Sequence, residues 1–361
     1  MLAKIVKDNY TVELTDPVRY VDNEARKRSG HMTHAMCEFA PGKYINFNSN
    51  CSAYRANGHS AYGWIEYRIS EDAGKTYSEI YELEETKKIL LDGVYSISVE
   101  KAVACDNGRI VALCLRNTHK WDTCCDPWDT PVYTVSDDGG KTWSKMKEFI
   151  PYKGRIYAAV YHKGVIYAMI FCNDRFLGKE PEHVYRIYKS EDNGDTWSEL
   201  CVVPYPSTVG RGYCAMTFDK NDVLHAYAYN SEDEEHLDHA VSRDFGKTWE
   251  ITEPSFVSKG VRNPQIGYID GVYILHGRAG GVKGFVLYTS EDAFNWDEGH
   301  MLIDNLDAWC YYSNNITLRD EEGELMIIQY SENYDYPPGE EIEGRNSDRV
   351  NVMHTTLRIK R

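Results

Sequence analysis

The chain has 361 residues, 42% of them hydrophobic, with 28 Tyr and 8 Trp, enough apolar and aromatic material to fill extended contacts between sheets and to exclude a disordered chain. Its formal charge of -16 argues against a sequence-independent nucleic-acid binder, because phosphate contacts need a basic face. No apolar run approaches the roughly 20 residues of a membrane span, and charges in Met1 to Asp8 stand where a signal peptide has its apolar core; a cytoplasmic protein is expected, or a secreted one if a leader has been removed.

Residues Ile5 to Leu14 read as one strand standing alone, ahead of the basic segment Arg26-Lys27-Arg28. The first signature turn is Ser70-Glu71-Asp72-Ala73-Gly74-Lys75-Thr76-Tyr77. Full copies of the form S-x-D-x-G-x-T-W follow at Ser136 to Trp143, Ser190 to Trp197 and Ser242 to Trp249. A fifth, Ser290 to Trp296, keeps Ser, Asp and Trp but is one residue shorter and lacks Gly and Thr. Each copy follows an alternating strand, such as Tyr185-Arg186-Ile187-Tyr188, so it predicts a turn between antiparallel strands. Asp and Ser side chains bond nearby backbone N–H groups in such a turn, and Gly supplies positive φ. Calcium ligation is the other reading of clustered Asp, but the EF-hand spacing is absent and the turns are read as structural.

Between the turns one grammar repeats. Val99 to Ala104 turns at Asp106-Asn107-Gly108 into Ile110 to Leu115, and equivalent pairs turn at His162-Lys163-Gly164, near Asn221-Asp222 and at Asp270-Gly271. The intervals between the signature serines are 66, 54, 52 and 48, by subtraction of their numbers, near the length of a propeller repeat. These turns are identified as Asp-boxes, and the chain resembles the sialidase-like superfamily over most of its length. The expected fold is all-β, a single six-bladed β-propeller over residues 1–361. The last blade, near Ile316 to Leu318, Leu325 to Ile328 and Val350 to Met353, has no Asp-box and reads one strand short. The N-terminal strand, about 5–14, is expected to complete it and close the ring.

In such a wheel the inner strands open at one face, around the central axis. This singles out His31 and His34 in blade one, Glu100 in two, Arg155 and Tyr157 in three, Arg211 and Tyr213 in four, Arg262, Asn263 and Gln265 in five, and Tyr312 in six. Arg278 ends a second strand in blade five. The segment Trp309 to Asn315 is similar to the sialidase segment carrying the tyrosine nucleophile, which the resemblance places at Tyr312. The family's partner glutamate has no counterpart, since Tyr213 stands there, and no Asp occurs from Asn48 to Tyr62 for the acid/base. Of the family's arginine triad Arg278 fits, while Arg28 matches poorly.

Arg155, Arg211 and Arg262 open consecutive inner strands, and guanidinium forks suit carboxylate or sulfate; each is otherwise a blade-linking ion pair. Glu100 reads either as a buried acid or base or as the partner of Lys101 or a blade-three arginine. Tyr312 reads as nucleophile or as pore-filling aromatic. His31 and His34 with Tyr312 would serve β-elimination on a uronate, as in some polysaccharide lyases of similar fold. Trp121, Trp128 and Trp309 would stack on sugar rings in a purely binding module. Cys105, Cys114, Cys172 and Cys214 sit in apolar strands, and Cys124-Cys125 has no second pair at zinc spacing. The expectation is a glycoside hydrolase of an anionic, sialate- or uronate-containing glycan, with no metal and no cofactor. A lyase and a non-catalytic glycan-binding propeller are the alternatives.

Overall fold

The computed structural model describes residues 4–26, 29–30, 34–54, 62–93, 95–118, 128–173, 184–205, 212–280, 284–304, 312–334 and 350–361. They form six antiparallel sheets arranged as a β-propeller, with one helix among the described residues, Glu84–Leu91, between blades one and two. The innermost strands are His34–Ala40, Tyr95–Ala104, Arg155–His162, Cys214–Phe218, Arg262–Ile269 and Ser313–Asp320. Each touches the next, and the sixth touches the first.

Alternation puts one face of every sheet against its neighbour, and six apolar clusters fill these interfaces. Ile45, Phe47 and Ile65 of blade one meet Val99, Ile110 and Ala112 of blade two. Phe285 and Leu287 of blade five meet Met326, Ile328 and Tyr330 of blade six. The core is therefore a ring of contacts between sheets, as area burial requires of strands too short to cover themselves.

The Asp-boxes staple this ring. Gly140 N donates to Ser136 Oγ at 2.9 Å, and Asp138 accepts from Ser136 Oγ (2.9 Å), Lys141 N (3.0 Å), Thr142 N (2.9 Å) and Thr142 Oγ1 (2.6 Å). Donors at Thr142 lead in holding the Asp138 carboxyl near pKa 2. Gly140 takes φ +88°, and a Cβ there would stand 2.9 Å from Ile45 Cδ1 of blade one. Trp143 Nε1 then donates to Tyr67 Oη of that blade at 3.2 Å. The fifth box works although it is shortened. Asn295 N and Nδ2 both donate to Asp292 at 2.8 Å, the side-chain amide doing the work of the missing Thr hydroxyl, and Ala293 takes φ +63°.

The N-terminal segment differs from the single strand expected over 5–14. It is a hairpin of Lys4–Val6 and Thr11–Leu14, reversed at Lys7 to Tyr10 where Lys7 N donates to Tyr10 O at 2.9 Å. Thr11–Leu14 pairs with the last strand, Val350–Lys360, and Val18–Val21 pairs with the same strand further along. Sheet six thus runs Ser313–Asp320, Gly323–Asn333, Val350–Lys360, Thr11–Leu14 and Lys4–Val6. No helix among the described residues is long and apolar enough to cross a membrane.

Candidate functional site

The first ends of the inner strands do not keep strict alternation. Lys101 pairs with Leu113 and Val99 with Cys114, which leaves Glu100 as an extra residue. In blade three Ile156 pairs with Ile170 and Ala158 with Met169, leaving Tyr157 extra. In blade five the slip lies between Arg262 and Gln265, opposite Gly277, with Asn263 at φ +56°. A β-bulge re-aims the side chains on either side of it. Glu100 with Lys101, Arg155 with Tyr157, and Asn263 with Gln265, each pair at a slip, line one cavity at the axis, which Tyr312 and Ser313 complete; only the adjacent pair Glu100-Lys101 needs the slip to share a face.

Six of the sequence-selected residues meet in that cavity: Glu100, Arg155, Tyr157, Asn263, Gln265 and Tyr312. Arg155 Nε stands 3.1 Å from Glu100 Oε1, and both side chains are buried. The Arg155 guanidinium also lies 5.1 Å from the Tyr157 ring centre and 5.6 Å from that of Tyr312. Burial opposes the charge on Arg155, but Glu100 and the phenols around it raise its pKa. Burial raises the Glu100 carboxyl, with Arg155 opposing. Glu100 is thus the partner of a blade-three arginine, the second of its two expected readings.

Beside the cavity Tyr312 Oη and Tyr213 Oη are 3.2 Å apart. The Tyr312 carbonyl accepts from Ser331 N at 3.0 Å, which fixes the backbone from which the phenol projects. Burial, then Tyr213, hold the Tyr312 hydroxyl well above its ordinary pKa, while Arg155 and Arg278 pull it down. Arg262 lies 5.9 Å from the Tyr213 ring centre and 5.7 Å from that of Tyr229. Arg278 is the cross-strand partner of Arg262. His31, Arg211, Trp121, Arg28 and Trp309 lie outside the described residues. His34 is described as backbone, in the inner strand of blade one. Trp128, expected as a sugar platform, is a core residue packed edge-on against Tyr157 and Phe171.

The sequence reading missed three participants. Lys101 Nζ donates to Gln265 Oε1 across the axis, and burial brings its pKa down to about 8. His276 Nε2 accepts from Asn315 Nδ2 at 2.9 Å, so its Nδ1 carries the proton and donates to Ser313 Oγ at 3.0 Å. Burial, then Lys101, lower its pKa to about 3, which keeps the ring neutral. Tyr229 Oη donates to Glu234, whose charge also acts on Arg262. Two adjacent charges, Glu100-Lys101, were the one visible sign of a bulge. Nothing in the spacing pointed to Glu234, which lies in a loop after its strand.

Among the described residues one cluster could hold a metal ion: Asp297, Glu298 and His300, beside the fifth Asp-box. The Lys7 ammonium already stands 3.0 Å from Asp297 and 2.8 Å from Glu298. The axial cavity is lined by the Arg155 guanidinium, the Lys101 ammonium, two phenols, two amides and the Ser313 hydroxyl, with Glu100 as its one carboxylate.

A family model described as a BNR repeat-like domain matches residues 47–337. No curated protein matches the chain. Among solved structures, a protein of unknown function from Dyadobacter fermentans is 14% identical with a TM-score of 0.71, the alignment covering 97% of this chain and 99% of that one. A Hadza microbial sialidase is 12% identical with a TM-score of 0.64, covering 96% and 68%. Trypanosoma rangeli sialidase in complex with the inhibitor DANA is 12% identical with a TM-score of 0.60, covering 91% and 55%. At these identities the likeness is one of fold.

Proposed function

Since the chain belongs to the family of BNR repeat-like domains, within the sialidase-like superfamily, we propose that it cleaves a glycosidic bond in an acidic glycan, with Tyr312 at the reacting centre. The observation that carries this reading is the contact of Tyr312 Oη with Tyr213 Oη at 3.2 Å, in the field of Arg155, Arg262 and Arg278. In hydrolysis the bond from Tyr312 Oη to the anomeric carbon forms as the glycosidic C–O bond breaks, solvent water taking the proton the phenol releases and supplying the one the leaving oxygen needs. A second water later displaces the sugar and returns a proton to the phenol. Tyr213 accepts a hydrogen bond from the attacking hydroxyl, and the arginines lower the energy of phenolate character as the proton leaves. Arg262 and Arg278 are the proposed contacts for the acid group.

One observation favours a second reading. Burial keeps the Tyr312 phenol protonated, and in β-elimination from a uronate, once a base, for which the sequence offers His31 or His34, has taken the proton α to the carboxyl group and the C=C bond forms, a protonated phenol gives its proton to the departing oxygen. A panel of sialosides, uronate polysaccharides and neutral glycans tests both readings, scored by reducing-end release and by absorbance of the unsaturated uronate. Hydrolysis gives new reducing ends alone, and elimination adds the absorbance. Tyr312→Phe is expected to lower kcat by roughly 10²–10⁴-fold with binding retained. Turnover unchanged by that substitution would remove Tyr312 from the centre, and saturable binding with no cleavage would leave a glycan-binding propeller.

A further inference from the structure

Two histidines lie buried on the face that blade four turns to blade five. His225 stands in Leu224–Ala228 and His239 in His236–Ser242, 0% and 1% exposed. Alternation puts both on the side of Tyr227, whose ring packs with Leu275, Val286 and Tyr288 of blade five. His225 Nδ1 and His239 Nε2 are 3.0 Å apart. Ser255 Oγ lies 3.4 Å from His239 Nδ1, and Asp219 Oδ2 lies 3.7 Å from His225 Nε2. One direction suits this chain: Ser255 donates to His239 Nδ1, His239 Nε2 donates to His225 Nδ1, and His225 Nε2–H faces the carboxylate. The reverse would set a bare ring nitrogen against Asp219. Both imidazoles are thus neutral.

The fifth Asp-box covers the pair. Phe294 packs 5.2 Å from the His225 ring and 5.1 Å from that of His239, and Tyr227 Oη donates to Ala293 O. The cover is thin: Phe294 is itself 38% exposed, and Ser290, Asn295 and Trp296 line an open groove of about 410 Å³. The other groups that face the pair are Asp292 in the box, Arg243 in the fourth box and the Tyr273 phenol. An added proton can enter only at His239 Nδ1, with Ser255 turned to accept, and among the described residues no carboxylate is within hydrogen-bond distance of that ring. Burial opposes charge on both rings; at His239, with His225 adding to it and Asp292 opposing, it brings the pKa down to about 3. We propose that this seam is an acid-released latch: protonation of the histidine pair frees the fifth Asp-box from blade four while the rest of the ring stays folded.

The Trp296 indole N–H reads the opening, since it is buried beside Tyr227 and makes no hydrogen bond. A histidine at about 3 in the closed seam and near 6.5 when exposed favours the open state increasingly as pH falls below 6.5, so that state is about 30-fold more populated at pH 5 than at pH 7.5. Solvent exchange of that N–H is measured by NMR on the full chain, assigned with Trp296→Phe and corrected for the intrinsic pH dependence. It is expected to rise by this factor relative to the indole of Trp143, whose box packs on Ile45 and Tyr67. The double variant His225→Gln/His239→Gln is expected to lose the rise. Acceleration of Trp296 and Trp143 alike, or of neither, in the wild-type chain would overturn the latch whether or not the variant folds. So would an acid rise retained in the double variant.

Discussion

Replacing Glu100 by Gln keeps the shape of the side chain and removes its charge, and the outcome can be estimated from the geometry. The Arg155 and Glu100 side chains are 6% and 3% exposed with 3.1 Å between charged atoms, so solvent screens them little. At that distance and an effective dielectric of about 20 the attraction is about 5 kcal/mol. The desolvation of both ions has already been incurred in folding, and the variant leaves the Arg155 charge buried without its carboxylate. Breaking such a pair from one side costs about 3–5 kcal/mol, whereas replacing both partners with apolar residues of similar volume is often near neutral. Urea denaturation of wild type, Glu100→Gln and the double variant Glu100→Leu/Arg155→Met reads this directly. The single variant is expected to lose stability by the larger figure, and the double variant to recover most of it. A loss under about 1 kcal/mol for Glu100→Gln, against the cost expected for a dry pair, would show that water reaches the pair. The pair would then not be the dry one that its burial implies.

Two further outcomes follow from the same region. A Cβ on Gly277 would stand 2.9 Å from Arg262 O and 3.0 Å from Asn263 O, so Gly277→Ala is expected to push out the blade-five bulge and lower the melting temperature, by roughly 1–3 kcal/mol of overpacking; tryptophan fluorescence melts check it, and an unshifted melt would mean that the bulge is not held from across the sheet. Burial lowers His276 and His239 to about 3, so between that value and the unfolded value near 6.5 the unfolded chain binds more protons and stability falls as pH falls, by up to about 1.4 kcal/mol per unit per histidine. Urea midpoints at pH 7 and 5 measure the slope, which His276→Gln should flatten; equal slopes in wild type and variant would refute the assignment.

The wheel was legible because its turns carry their own chemistry. Ser136, Asp138, Gly140 and Thr142 bond one another within seven residues, so the pattern survives in sequence whatever surrounds it. The fifth copy looked decayed for the same reason. Its identity lies in donors to Asp292, and an Asn295 amide supplies what a Thr hydroxyl does elsewhere, a substitution that letters hide and hydrogen bonds keep. The N-terminal segment read as one strand because no Gly or Pro marks a turn between Ile5 and Leu14, while the hairpin there reverses through the polar run Lys7-Asp8-Asn9 and is closed by the backbone bond from Lys7 N to Tyr10 O.

The candidate site was legible only in part, and the bulges explain which part. Positions that open an inner strand, Arg155, Arg262 and Tyr312, follow from repeat register alone. Strict alternation sends Glu100 and Lys101 to opposite faces of a sheet, yet one unpaired residue in that strand puts both at the axis. Arg155 with Tyr157 and Asn263 with Gln265 are each two residues apart, so alternation alone already places them on one face, although each pair also spans a register slip. A bulge costs a ladder hydrogen bond and leaves no periodic signal, so its repetition in three of six blades at one end of the inner strands is structure spent on a site rather than on the core. That is why the cavity is both polar and buried: the ring of apolar interfaces supplies the stability, and the inner strand ends bring Glu100, Arg155 and Tyr157 together at the axis.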